Sequence, residues 1–328
     1  MKNKYAREFT AMLDKWHSIR EPWDTELDAL IHEQYAEVMR NPRQEVNWQL
    51  TYFSPSSANA AKRELYHKLR GDKKDTQPQQ PHQGRWQRIG TAIGDVIQRD
   101  LLFIEKHWEK TFGEAAPFTV ERTEEGFPMW EEFIHGMHFV EHRGHQFHLL
   151  GTPDGIIRHK DGKRMGLEIK SKQTTPAQTS LFSMKEPKED HVRQVICYAI
   201  MHNLDKYLII YVNAAKKGWV LSEEEYEKTP DIRVFEVDIT EEMKNDVLDY
   251  FADVIDDVVN QTPPPMDWEK WNFCDYKTAI AQSMTDEEFA EMRQIVQNVM
   301  RSTLPQWMKD GYFNAYEFVK AIREGGAS

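Results

Sequence analysis

The chain has 328 residues, of which 40% are hydrophobic and 29% are charged, and its formal net charge is −12. This balance is typical of a globular protein with one large core or about two domains, and it excludes a protein that coats nucleic acid through bulk positive charge. No apolar run approaches the roughly 20 residues that cross a bilayer, and no apolar signal segment follows the N-terminus, so we expect neither a membrane protein nor export.

Four regions follow one another along the chain. They are a helical N-terminal region over 1–70, a linker over 71–84, a core over 85–265 and a helical C-terminal region over 266–328. In the first region, apolar residues at helical spacing predict a helix over Thr25–Met39, and a second helix carries Lys62 and Arg63. The linker is rich in proline and glutamine without an apolar period, which predicts a flexible loop.

The core alternates between helical and strand-like patterns. A helix is predicted from near Arg88 to beyond Trp108, and another begins at Thr240. Between them we predict strands over 138–141, 146–150, 155–158 and 165–170, a helix over 190–202, and strands over 207–212 and 233–238. This order predicts an α/β fold with a central mixed sheet flanked by helices.

Three polar residues of this core converge on one point. Asp161-Gly162 is a strong hairpin signal between the strands at 155–158 and 165–170. Residues two apart in a strand point to the same face, so Glu168 and Lys170 share a face, and Asp154 lies just before the first strand of the hairpin. We therefore expect two carboxylates and one ammonium group around a single site.

Such a trio fits phosphodiester hydrolysis. Asp154 and Glu168 can hold Mg²⁺ or Mn²⁺, which prefer oxygen ligands, and the backbone carbonyl of Ile169 is a third ligand candidate. Lys170 can orient a water molecule or stabilise charge on the phosphate. The simpler alternative is that Asp154 is a turn residue and that the other two form a solvated strand face.

A helix after the hairpin adds further evidence. Gln194 and Tyr198 are four residues apart and therefore lie on one helical face, where they can bind a phosphate or support the metal-binding strand. The alternative is that Tyr198 packs in the core and that Gln194 is a surface residue.

Pro153-Asp154, Glu168-Ile169-Lys170 and Gln194-x-x-x-Tyr198 together resemble the PD-(D/E)xK nuclease superfamily. Within this superfamily, the motifs resemble more specifically those of the RecB and Cas4-like nucleases and of phage-type exonucleases. It implies a restriction-endonuclease-like core and a Mg²⁺- or Mn²⁺-dependent DNA exonuclease in recombination, repair or phage DNA processing. It also implies that the protein is located in the cytoplasm of a bacterial or phage-infected cell. DNA is the expected partner, together with an annealing or recombination protein, and a homo-oligomer remains open.

The chain departs from this family pattern at two places. The position of the usual upstream histidine holds Gly94, and the later acidic position holds Gln98, which leaves Asp95 and Gln98 as substitute site residues. Of the cysteines that would bind an iron–sulfur cluster in related nucleases, only Cys274 remains. Because a cubane cluster needs four thiolates or close substitutes, we expect none here.

Basic residues outside the trio outline a path for DNA. Lys62 and Arg63 begin the densest basic stretch, and Lys172 follows Lys170 on the same strand face, so all three are candidate phosphate contacts. The alternative functions are a structure-specific or restriction-type endonuclease, and a non-catalytic DNA-binding scaffold built on a nuclease core.

Overall fold

The structure is a computed structural model that describes residues 3–41, 50–134 and 136–325. Within these ranges the α-helices are α1 (Lys4–His17), α2 (Thr25–Arg40), α3 (Lys62–Leu69), α4 (Pro81–Phe112), α5 (Glu189–His202), α6 (Glu223–Lys228), α7 (Glu241–Val259), α8 (Lys277–Ser283), α9 (Asp286–Arg301) and α10 (Gln306–Arg323). The β-strands are β1 (Tyr52–Phe53), β2 (Phe118–Val120), β3 (Met137–His142), β4 (His145–Leu150), β5 (Gly155–His159), β6 (Arg164–Lys172), β7 (Lys206–Asn213) and β8 (Ile232–Asp238). Among the described residues, no helix combines the length and the apolar character that a membrane crossing requires.

Five strands form the main sheet in the order β2–β5–β6–β7–β8. β2, β5 and β6 pair antiparallel, β7 runs parallel to β6, and β8 is antiparallel to β7. A parallel pair needs a crossover connection, and α5 lies within the connection from β6 to β7. This mixed sheet with helices packed on it confirms the predicted α/β fold with a central mixed sheet flanked by helices. A smaller sheet has the order β1–β4–β3, with β1 parallel to β4.

The hydrophobic core lies against the main sheet. β7 has a hydrogen-bonded neighbour on each side, and its residues 207–211 are all fully buried, which explains the continuous apolar run in its sequence. The second half of α4 covers the sheet with Phe103 and Trp108, and α1 adds Phe9 to the same core. These large side chains fix β6 and β7, the two strands that position the candidate site.

The chain forms two compact units. The first comprises residues 1–58, 79–141 and 146–247 and contains the main sheet. The second comprises residues 59–78, 142–145 and 248–328, and its core includes Trp271, Ile280, Met292 and Val319. The division into four regions that we drew from the sequence remains a prediction.

Most elements predicted for the core are confirmed, but α4 begins earlier than the predicted start near Arg88. Pro81 occupies the first helical position, where its missing N–H is not needed, and the Gln83 side chain accepts a hydrogen bond from the backbone N–H of Gln80 at 2.9 Å. The helix therefore begins within the segment predicted as a flexible linker. Helix α1 and strand β2 were not predicted.

Candidate active site

The β5–β6 hairpin brings Asp154, Glu168 and Lys170 together. Gly162 has a φ of 92°, the left-handed conformation that the tight turn requires and that favours glycine. In the resulting register, Gly155 pairs with Leu167. Asp154, which directly precedes β5, therefore lies opposite the part of β6 that carries Glu168 and Lys170.

Two short contacts define the geometry of the trio. The Asp154 Oδ2 atom accepts a hydrogen bond from the backbone N–H of Ile169 at 2.6 Å. The Lys170 ammonium lies 2.5 Å from Glu168 Oε1. Glu168 is only 2% exposed, so the solvated strand face that was the alternative interpretation is excluded for this residue.

Burial controls the electrostatics of the two carboxyl groups. It raises the pKa of Glu168, and the neighbouring Asp154 carboxylate raises this pKa further, while Lys170 opposes the shift. Burial also raises the pKa of Asp154, against the opposing effects of the Ile169 N–H and of Lys170. Lys170 therefore compensates only part of the cost of placing these two acids side by side.

One atom of this site shows that a cation fits it. Glu168 Oε2 is buried and has no hydrogen-bond partner in the described part of the chain. Buried carboxylate oxygens without donors are costly unless a cation binds them. The described residues contain no group of three or more His, Cys, Asp or Glu side chains poised for a metal, so water or backbone oxygens would complete its ligand set.

Helix α5 places the predicted pair, Gln194 and Tyr198, next to the trio. Gln194 Oε1 accepts a hydrogen bond from the Lys170 ammonium at 3.0 Å. Tyr198 is buried, and its pKa is raised first by burial and then by the Glu168 carboxylate. The sequence-predicted pair thus borders the carboxylates, and Gln194 holds Lys170 directly.

The substitute residues on α4 lie in different surroundings. Gln98 is 1% exposed, and its side-chain amide donates to the backbone carbonyl of Asp154 at 2.9 Å. It therefore positions the loop that carries Asp154. Asp95 is exposed, and its pKa is raised by partial burial and by the Glu132 carboxylate. Asp95 accordingly belongs to the acidic rim of the site, and a metal-binding role for it remains a prediction.

Glu131 is a residue of this rim that the sequence reasoning missed. Its backbone has a φ of 40°, an unusual value for a residue other than glycine, and its N–H donates to the Pro153 carbonyl at 3.1 Å. The pKa of Glu131 is raised to about 7, first by burial and then by the carboxylates of Glu132, Asp154 and Asp95. Glu131 lies 23 residues before Asp154 without a regular spacing pattern, so no local signal identifies it.

Two residues of the second unit that were predicted to contact DNA bind other residues of the chain. Arg63 is fully buried, and its guanidinium donates to Glu288 and to the Pro264 carbonyl, both at 3.0 Å. The prediction that Arg63 contacts DNA is therefore wrong, because the side chain is inaccessible. Lys62 forms an ion pair with Asp253 at 2.6 Å and remains partly exposed, so its DNA contact stays a prediction.

Comparison with known proteins gives distant structural similarities. No protein-family model matches the sequence, and no curated protein matches it. The crystal structure of SSO0001 is similar at 13% identity and a TM-score of 0.38, covering 79% of this chain and 97% of that chain. The alkaline exonuclease LHK-Exo from Laribacter hongkongensis is similar at 14% identity and a TM-score of 0.36, covering 65% and 92%. Its complex with dAMP gives 12% identity, the same TM-score of 0.36, and coverage of 65% and 89%.

Proposed function

We propose that the chain is a metal-dependent deoxyribonuclease that hydrolyses phosphodiester bonds at DNA ends. The observation that carries this proposal is the pair of Asp154 and the buried Glu168, which has an unpartnered carboxylate oxygen, beside the ammonium of Lys170. A site with two acids and one ammonium group can hold a divalent cation and still present positive charge to a phosphate.

Each residue of the site has a distinct task in this proposal. Asp154 and Glu168 would hold the ion, with the Ile169 carbonyl as a further ligand, and a bound Mg²⁺ or Mn²⁺ supplies Lewis-acid polarisation of the phosphate and a more acidic water. Lys170 uses two of its three N–H donors on Glu168 and Gln194, which leaves the third for a phosphate oxygen or the attacking water. Gln194 keeps this ammonium in place.

Action at DNA ends is the more specific part of the proposal. It is supported by the resemblance of the motifs to those of phage-type exonucleases, as are roles in recombination, repair or phage DNA processing and a partner that anneals single strands. An endonuclease and a catalytically inactive scaffold remain outcomes of the same experiment.

The test compares linear double-stranded, linear single-stranded and covalently closed circular DNA in Mg²⁺ or Mn²⁺. We expect linear DNA to be degraded to nucleotides while circles survive. Lys170→Ala should reduce the rate by about a hundredfold or more, because a donor to the reacting phosphate is lost. Lys160→Ala, at an exposed position of the same hairpin, is the matched control and should keep full activity.

Two other outcomes would replace the proposal. Nicking of the circles would assign an endonuclease. DNA binding without cleavage in any divalent metal would assign a scaffold that has kept a nuclease core.

A further inference from the structure

A second cluster of basic groups lies beside the trio, at the end of β6. Lys172 follows Lys170 on the same strand face, and Lys188 and His191 lie at the start of α5. Tyr211 of β7, which pairs in register with Lys170, is the residue that joins them.

The contacts of Tyr211 show that this cluster is built rather than accidental. The Lys172 ammonium lies over the tyrosine ring, 5.0 Å from its centroid. The Tyr211 hydroxyl oxygen accepts a hydrogen bond from the backbone N–H of Lys188 at 2.9 Å, and the hydroxyl is also hydrogen-bonded to Nδ1 of His191 at 2.8 Å. Because Tyr211 is fully buried, it fixes the backbone of Lys188 and the imidazole of His191, and the Lys172 ammonium packs over its ring.

The charge of the cluster is uncompensated. Lys172 and Lys188 form no ion pair with any carboxylate in the part of the chain that the structure describes, although many other basic side chains there do, Lys62 and Lys206 among them. The pKa of Lys172 is lowered to about 8, first by burial and then by the ammonium groups of Lys188 and Lys170. In a chain with a net charge of −12, several cations that repel one another without an acidic partner indicate a binding site for an anion.

His191 adds a neutral imidazole to these cations. Its pKa is lowered to about 3, first by burial and then by the charges of Lys170, Lys172 and Lys188, so the ring is neutral at physiological pH. Its Nδ1 atom is hydrogen-bonded to the Tyr211 hydroxyl. In the tautomer in which Nδ1 accepts from this hydroxyl, the ring carries its proton on Nε2, where it can donate to an anion.

We infer that Lys172, Lys188 and His191, held by Tyr211, form a subsite for a second phosphate group of the substrate, next to the phosphate that is cleaved at Lys170. This inference rests on the proposed function, because it gives the substrate two phosphates that bind side by side. The second phosphate is either an internal phosphodiester of the same strand or a terminal phosphomonoester. Both offer the same anionic oxygens to the two ammonium groups and the imidazole.

The experiment uses the full-length protein and the Lys172→Ala/Lys188→Ala double variant. Lys185→Ala is the matched control, since Lys185 is an exposed lysine three residues before Lys188 and makes no contact with Tyr211. Oligonucleotide duplexes carry a phosphate at the 5′ end, at the 3′ end or at neither. We expect the double variant to raise KM about tenfold or more while kcat changes little, and to flatten the salt dependence of DNA binding by roughly one unit of log–log slope.

A second measurement is independent of nuclease activity. Inorganic phosphate is titrated into each metal-free protein, and binding is followed by broadening of its ³¹P resonance. The wild type and Lys185→Ala should bind phosphate, whereas the double variant should not. The Lys172→Arg variant keeps the positive charge and should still bind phosphate, as the wild type does. This comparison separates loss of the subsite from loss of the fold.

The outcomes distinguish the subsite from the enzyme. If DNA is cleaved with an unchanged KM and phosphate still binds to the double variant, the subsite is refuted and the proposed function stands. If no DNA is cleaved but phosphate binding is lost in the double variant, the anion site stands and the nuclease proposal fails. A preference of the wild type for one phosphorylated end that the double variant loses identifies the terminal phosphomonoester, and a uniform loss identifies an internal phosphate.

Discussion

Asp154 and Glu168 place two acids where an apolar residue would be more stable. Burial and mutual repulsion raise both pKa values, and Lys170 offsets only part of this effect. Residues that cost stability in an otherwise well-packed sheet commonly serve binding or catalysis. The local cost at these two residues therefore supports the functional interpretation of the site.

Glu131 gives a prediction about pH. Its pKa is raised from 4.5 to about 7 in the folded chain, so the folded state holds this proton more tightly than the unfolded state. The stability that Glu131 contributes is present below about pH 4.5 and is lost as the pH rises through about 7. Without metal, Glu131→Gln should remove this loss and be more stable at pH 8, by at most about 2 kcal/mol after solvent screening is allowed for.

Urea unfolding of both proteins across this pH range, in the presence of a chelator, measures the effect. Glu132→Gln changes the exposed neighbour in the same turn and should have the smaller effect. Parallel pH profiles for wild type and Glu131→Gln would show that Glu131 is not held in its protonated form.

Arg63 gives a prediction about stability in the second unit. Its guanidinium connects α3 to Glu288 of α9 and to Pro264, and it is fully buried. Arg63→Ala should lower the free energy of unfolding by about 3 kcal/mol, because Glu288 and the Pro264 carbonyl lose their buried donor. Lys62→Ala removes only a partly exposed ion pair with Asp253 and should cost less than about 1 kcal/mol. Equal losses in urea unfolding would contradict this assignment.

At the scale of elements, β6 combines two functions on its two faces. Glu168 and Lys170 form one face, while the fully buried Leu167 anchors the other in the core. Gly166 lets the ring of Tyr207 from β7 pack directly on the β6 backbone, because a β-carbon there would overlap the ring. The strand that carries the candidate site therefore depends on a close approach that only glycine permits.

Gly166→Ala should lower the free energy of unfolding by about 1–3 kcal/mol, since the fully buried Tyr207 has no room to move aside. The displaced ring should also reduce nuclease activity, because Tyr207 lies close enough to Glu168 and Asp154 for their charges to raise its pKa. Gly155→Ala on β5 is the control, as its β-carbon would meet Leu167 at an ordinary 3.4 Å. Denaturation curves and a nuclease assay on both variants decide this, and two equally stable variants would contradict the packing argument.

At the scale of the whole molecule, a net charge of −12 coexists with a proposed anionic substrate. Nucleic-acid affinity must then come from local groups such as Lys172 and Lys188, and from a bound cation that neutralises the acidic site. Arg85 and Arg88 on the exposed first half of α4 are further local cations, without ion pairs in the described chain.

Metal binding should accordingly stabilise the folded chain. Mg²⁺ or Mn²⁺ at about a hundredfold over its dissociation constant should add about 2.7 kcal/mol to the free energy of unfolding, because the ion binds only the assembled carboxylates. Thermal unfolding with metal and with chelator measures the gain. Glu168→Gln should abolish it, and Glu141→Gln, at an exposed position of β3, should retain it. A gain that persists in Glu168→Gln would place the ion elsewhere.

Local sequence determined a large part of this protein. The two-residue period of β6 placed Glu168 and Lys170 on one face, Asp161-Gly162 fixed the hairpin, and the four-residue spacing of α5 paired Gln194 with Tyr198. Each of these features involves neighbours along the chain, so steric rules and hydrogen bonding of a single element are sufficient to predict it. The expectation that these local features form one functional site also drew on the resemblance to nucleases.

The tertiary structure decided what depends on distant residues. Arg63 lies in a basic stretch, and its burial became evident only from its contacts with Pro264 and Glu288, more than 200 positions away. Glu131 joins the acidic rim, and Lys188 meets Lys172, because loops and the α5 start are brought against β6 by core packing. Burial and pairing set whether a charged side chain is structural or functional, and both are properties of the packed chain rather than of its local sequence.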